Sequence, residues 1–125
     1  MMSAFQKIGY DDVATKYLRH AVLMDLANVG GNVRDGVHIA SIGGTWMAMV
    51  YGLAGMRDYG GRISFDPKRF VDRLKFPLTL RGQQLEVDVA GGRVTYLLRK
   101  GAGISIRHRE EELELREGEP VTRNV

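Results

Sequence analysis

The spacing of apolar residues changes period once along this 125-residue chain, near Gly60-Gly61, and that change limits the fold to helices followed by strands. Before it, Val13, Tyr17, Leu18, Ala21, Val22 and Met24 recur at helical spacing, which predicts a helix over 11–26 opened by Asp11 and Asp12. Ala4–Ile8 reads as the end of an earlier helix, and a second full helix is predicted over 36–56, antiparallel to the first. After the change, Leu85, Val87 and Val89 alternate with polar residues, as do Val94, Tyr96 and Leu98, then Ile104 and Ile106, then Leu113 and Leu115. This period of two marks strands with one buried face. Arg62–Phe65 and Lys75–Arg81 bring the number to about six, Gly91-Gly92 is a hairpin signal, and the tail from Gly118 is expected to fray. The expected class is α+β, with helices in 1–58 and a small antiparallel β-domain in 59–125.

The second helix constrains the chain's surroundings. Ala40, Gly44, Ala48 and Gly52 form a stripe of small residues, while Ile39, Ile42, Trp46, Met49, Val50 and Leu53 occupy the other sides. A helix apolar all round requires neighbours on every face. One partner helix cannot supply them, so the helical part reads as incomplete and either self-associates or packs against further helices. The 21 uncharged residues between Asp35 and Arg57 are long enough for a membrane span. Five glycines and polar residues such as His38 and Thr45 favour a buried helix of a soluble protein instead.

The chain has no cysteine, which excludes disulfides and thiolate metal sites and suits a reducing, cytoplasmic setting. His20, His38 and His108 are scattered, and no metal-ligand spacing, cofactor motif or catalytic triad order appears. Basic residues concentrate in 57–81 and glutamates in 110–119, but no aromatic residues interleave with the basic ones, which argues against nucleic acid.

One constellation carries chemistry. Asn32 through His38 lies where a loop becomes the start of a buried helix, offering backbone N–H groups at Gly36, Val37 and His38 at the positive end of the dipole. Arg34 adds a guanidinium for an oxyanion, and His38 a further donor. Asp35 stands at the expected cap position. On residue types alone, a capped helix with a packed histidine outweighs a ligand site.

The run Asp35-Gly36-Val37-His38-Ile39-Ala40-Ser41-Ile42-Gly43-Gly44-Thr45-Trp46, with Tyr51-Gly52 and Gly55-Met56-Arg57 behind it, resembles the last barrel helix of glycoside hydrolase family 65, which includes the maltose, trehalose and kojibiose phosphorylases. Arg62-Ile63-Ser64-Phe65-Asp66-Pro67 resembles that family's entry to its C-terminal domain, Leu78–Val89 its strands there, and Tyr17–Leu26 its preceding barrel helix. The resemblance implies the final helices of an (α/α)6 barrel followed by a jelly-roll-like β-domain. It also implies phosphorolysis of an α-glucosidic disaccharide with inversion: a Glu general acid protonates the leaving sugar while inorganic phosphate attacks from the other face. The family's histidine that helps hold this phosphate corresponds to His38, which places the implied phosphate site at Arg34, Gly36, Val37 and His38. The family often carries Thr and Glu where this chain has Val33 and Asp35, leaving open both the sugar and the choice between phosphorolysis and hydrolysis. The general acid belongs to an upstream barrel segment, so no catalytic residue is assigned here. The chain is expected to be a C-terminal fragment or truncated copy without turnover of its own. The alternatives are a non-catalytic homo-oligomeric module and, with few aromatic residues on the strands, a carbohydrate-binding module.

Overall fold

The computed structural model describes residues 11–28, 31, 34, 36, 38–68 and 72–125. The chain divides into two compact units, Met1–Leu53 and Ala54–Val125. The expected early helix at 4–8, and residues Val33, Asp35 and Val37, lie outside the described residues.

In the first unit, helix α1 spans Asp11–Leu26 and helix α2 spans Ile39–Met47, continued by a π-helical turn over Ala48–Leu53. The two helices meet where the Ser41 hydroxyl donates to the Ala21 carbonyl at 3.2 Å. The predicted second helix of 36–56 is therefore shorter at both ends. Gly36 has φ of 111° and His38 has ψ of 85°, so neither joins the helical ladder, while Gly55, at φ of 64°, lies beyond its other end. At Gly44 nothing lies within 4 Å of the position a Cβ would occupy, so the small-residue stripe does not seat α1 there. Ile39 is 83% exposed, and Ile42, Trp46, Met47 and Tyr17 are exposed as well. Among the described residues no helix is long and apolar enough to cross a membrane.

The second unit is entirely β among its described residues. Its eight strands are β1 (Arg57–Tyr59), β2 (Arg62–Phe65), β3 (Arg73–Leu80), β4 (Gln83–Ala90), β5 (Arg93–Lys100), β6 (Ile104–His108), β7 (Glu111–Leu115) and β8 (Pro120–Asn124). They form two four-stranded sheets, ordered β1-β2-β6-β7 and β3-β4-β5-β8. All pairs within the sheets are antiparallel except β2 and β6, which run parallel with Ser64 opposite Arg107 and Phe65 opposite His108. A parallel pair needs a long crossover, and the intervening β3–β5 meander supplies it.

Alternation places Phe76, Leu78, Leu85, Val87, Val89, Val94, Tyr96 and Leu98 of one sheet in the core, with Ile63, Phe65, Ile104, Ile106, Leu113 and Leu115 of the other. Facing pairs such as Phe76–Val87 and Val87–Tyr96 follow from the register. At Gly91-Gly92 both residues have positive φ, as the tight hairpin between β4 and β5 requires. The expectation of a frayed tail is corrected. Residues 120–124 form β8 on the edge of β5, the Val125 amide donates to the Gly92 carbonyl, and the Val125 side chain is buried. Backbone pairing, rather than an apolar pattern, holds this strand.

Candidate functional site

At the start of α2, His38 occupies the cap position without a side-chain capping bond, and its carbonyl accepts from the Ser41 and Ile42 amides. The helix thus opens with His38 as its cap, three residues later than Asp35, the cap position the sequence suggests. Gly36 precedes the cap, is exposed, and has open space where a side chain would sit. Arg34 is exposed and His38 half-buried. Three of the four sequence-predicted residues therefore cluster within five positions at a helix start, and the fourth, Val37, lies outside the described residues.

Sequence reasoning missed a buried polar centre in the β-domain. The Tyr96 hydroxyl lies 2.9 Å from His108 Nδ1, and His108 Nε2 lies 3.0 Å from the Asn124 carbonyl oxygen. A carbonyl only accepts, so Nε2 carries the proton and Nδ1 accepts from the tyrosine. Tyr96 also packs on Phe65, with ring centroids 5.3 Å apart. The signal was present: His108 shares strand parity with Ile104 and Ile106, and Tyr96 with Val94 and Leu98. Parity turns each residue to the same side as its apolar neighbours but does not show that the two meet.

Burial pushes the Tyr96 hydroxyl well above its ordinary range and pulls His108 below 6.5. For His108 the Asn124 carbonyl and Glu111 oppose that fall, while Arg109 and Arg123 reinforce it. Protonated His108 would lose its acceptor toward Tyr96. Since the folded protein binds this proton less readily than the unfolded chain, stability falls as pH drops through about 6.5 and levels off below the folded-state value. Urea midpoints measured from pH 8 to pH 5 should decline in this window, and His108→Gln should flatten the decline. An equal slope in both proteins contradicts it. Nearby, Arg123 grips Glu111 with contacts of 2.6 and 2.7 Å, lowering the carboxyl and tying β8 to β7. Burial works against ionisation of Asp66, but bonds from Lys68 at 2.8 Å and Arg109 at 3.2 Å outweigh it and hold the carboxyl below its usual range. These ion pairs clamp neighbouring segments of the β-domain together. Among the described residues no group of three or more His, Asp or Glu is placed to hold a metal ion.

Residues 56–115, which hold strands β1 to β7, match the family description "Glycosyl hydrolase family 65, C-terminal domain". Residues 56–115 belong to this family. Beyond that domain, the chain is 42% identical over 120 residues to an uncharacterized glycosyl hydrolase of Mycobacterium leprae, covering 93% of this chain and 15% of that protein. It is 36% identical over 115 residues to the α,α-trehalose phosphorylase of Thermoanaerobacter brockii, covering 90% and 15%. A candidate kojibiose phosphorylase structure from the human microbiome superimposes with a TM-score of 0.83 at 23% identity, over 98% of this chain and 16% of that one, which establishes the shared fold. The chain thus spans about 15% of the length of the curated relatives it matches.

Proposed function

We propose that this chain is the C-terminal part of a disaccharide phosphorylase, supplying the last helices of an (α/α)6 barrel, the β-domain and part of a phosphate site. The observation that carries the reading is the family 65 match, joined by trehalose and kojibiose phosphorylase relatives that extend through both units. In this reading Arg34, Gly36, Val37 and His38, with the first amides of α2, surround inorganic phosphate and hold it for attack on an α-glucosidic bond. Helix-end amides favour an anion, and a His donor orients the phosphate oxygens for attack on the anomeric carbon. The general acid, and most contacts to the sugar, come from barrel segments outside this sequence. Without acid assistance, worth about 10²–10⁴ in rate, and without substrate positioning, the chain alone does not turn over sugar.

The test is a chimera in which this chain replaces the matching segment of the Thermoanaerobacter brockii enzyme. It should cleave α,α-trehalose only with phosphate, and His38→Ala should raise KM for phosphate about tenfold or more, the cost of a hydrogen bond to a charged group. An active chimera indifferent to His38→Ala refutes the site. Exposed Ile39, Ile42, Trp46 and Met47 favour a companion reading, in which the isolated chain self-associates through its helical unit, most simply as a C₂ dimer. Light scattering that finds a clean monomer at micromolar concentration would rule out that dimer.

A further inference from the structure

A pocket of about 300 Å³ opens in the β-domain, remote in sequence from the start of α2 and lined in part by Arg62, Arg81, Ser105, Arg107 and Glu112. Its position follows from strand parity. On β2 and β6, Ile63, Phe65, Ile104, Ile106 and His108 are buried, which turns Arg62, Ser105 and Arg107 to the outer face of the same sheet. The parallel register, Ser64 opposite Arg107, brings Arg62 level with Ser105 two residues back. Glu112 stands opposite Arg107 on β7.

Arg81 arrives from the turn between β3 and β4, in the other sheet. Its guanidinium donates to the Gly61 carbonyl. Gly61 has φ of 74°, and a Cβ there would lie 3.1 Å from Arg81 Nη2. Gly61 therefore permits the contact that fixes Arg81 at the pocket wall.

The charges do not cancel. Three guanidinium groups face one carboxylate, and Glu112 is engaged with the Ser105 hydroxyl at 3.0 Å. Arg107 reaches only the almost fully exposed Glu110, at 3.6 Å, and Arg62 has no ion-pair partner among the described residues. Among the described residues no aromatic ring lines the pocket, so a stacked neutral sugar is a poor fit. Guanidinium forks suit the oxygens of a tetrahedral anion.

We propose that this pocket binds a small phosphate-type oxyanion, free or carried on a small hydroxylated molecule. Arg62, Arg81 and Arg107 would hold the anion, with Glu112 and Ser105 placed to take a ligand hydroxyl. The proposal does not depend on the phosphate site at His38.

The test is a titration of the full ¹⁵N-labelled chain with inorganic phosphate and, separately, glycerol 3-phosphate, against sodium chloride at matched ionic strength. The expected result is a saturable shift of the Gly61, Ile63, Ser105 and Ile106 amides. Arg62→Gln with Arg107→Gln should weaken binding at least tenfold, and Gly61→Ala, which displaces Arg81, several-fold. Arg93→Gln, an exposed arginine outside the pocket, should leave binding unchanged. Shifts that do not saturate, or that Arg93→Gln weakens as much as the pocket variants do, overturn the proposal. Glu112→Gln separates the sources: tighter phosphate but weaker glycerol 3-phosphate identifies a hydroxylated ligand, and equal tightening of both identifies the free anion.

Discussion

Replacing Tyr96 by Ala should lower the stability of the β-domain by about 3–5 kcal/mol, the usual cost of emptying a large aromatic site. Tyr96 is fully buried, touches Phe65 of the opposite sheet, and supplies the hydroxyl that satisfies His108. Against a typical total of about 5–15 kcal/mol, this is a large share. Tyr96→Phe keeps the ring and leaves His108 Nδ1 without its donor, so a smaller loss of about 1–3 kcal/mol is expected. Chemical denaturation of the three proteins checks the order. A Tyr96→Phe loss as large as that of Tyr96→Ala would mean that the hydrogen bond, rather than packing, dominates.

Gly55→Ala should be at least as damaging. Gly55 has φ of 64°, and a Cβ there would sit 2.1 Å from the Asp66 carbonyl oxygen, a backbone atom that cannot swing aside. The Asp66 amide also donates to the Gly55 carbonyl at 3.3 Å, so the two segments cannot separate without losing that bond. We expect a loss above about 3 kcal/mol, or a fall in Tm of more than about 12 °C for a domain of this size. Gly60→Ala offers the comparison: φ is also positive, at 59°, but nothing lies within 4 Å, so only the conformational cost of about 1–2 kcal/mol remains. Equal Tm values for the two variants would contradict the contact.

The contrast between these glycines marks where sequence reading stops. Local period shows which face of a strand is buried, and it placed Leu85, Val87, Val89, Val94, Tyr96 and Leu98 in the core, where each is no more than 3% exposed. It does not show which strands become neighbours. The division into two sheets, the parallel β2–β6 pair and the meeting of Tyr96 with His108 depend on residues 12 to 43 positions apart. Strand β8 escaped notice because Pro120-Val121-Thr122-Arg123-Asn124 has almost no apolar alternation and is held by backbone bonds to β5. Residues 57–59 escaped for a similar reason, since Arg-Asp-Tyr is too short and polar to show a strand period until paired with 62–64. Around α2, the Gly-rich start and the His at its head were legible. Their offset was not: the positive φ at Gly36 moves the first turn to Ile39 and makes His38 the cap.

The central claim, that the start of α2 holds phosphate, is tested most directly by following the His38 ring and the Gly36 amide by NMR while inorganic phosphate is added to this chain. A saturable shift of both is predicted, with His38→Ala abolishing the response at Gly36 while leaving the β-domain spectrum unchanged. No shift at about tens of millimolar phosphate, far above the usual range for metabolite sites, would contradict it and leave His38 a structural cap.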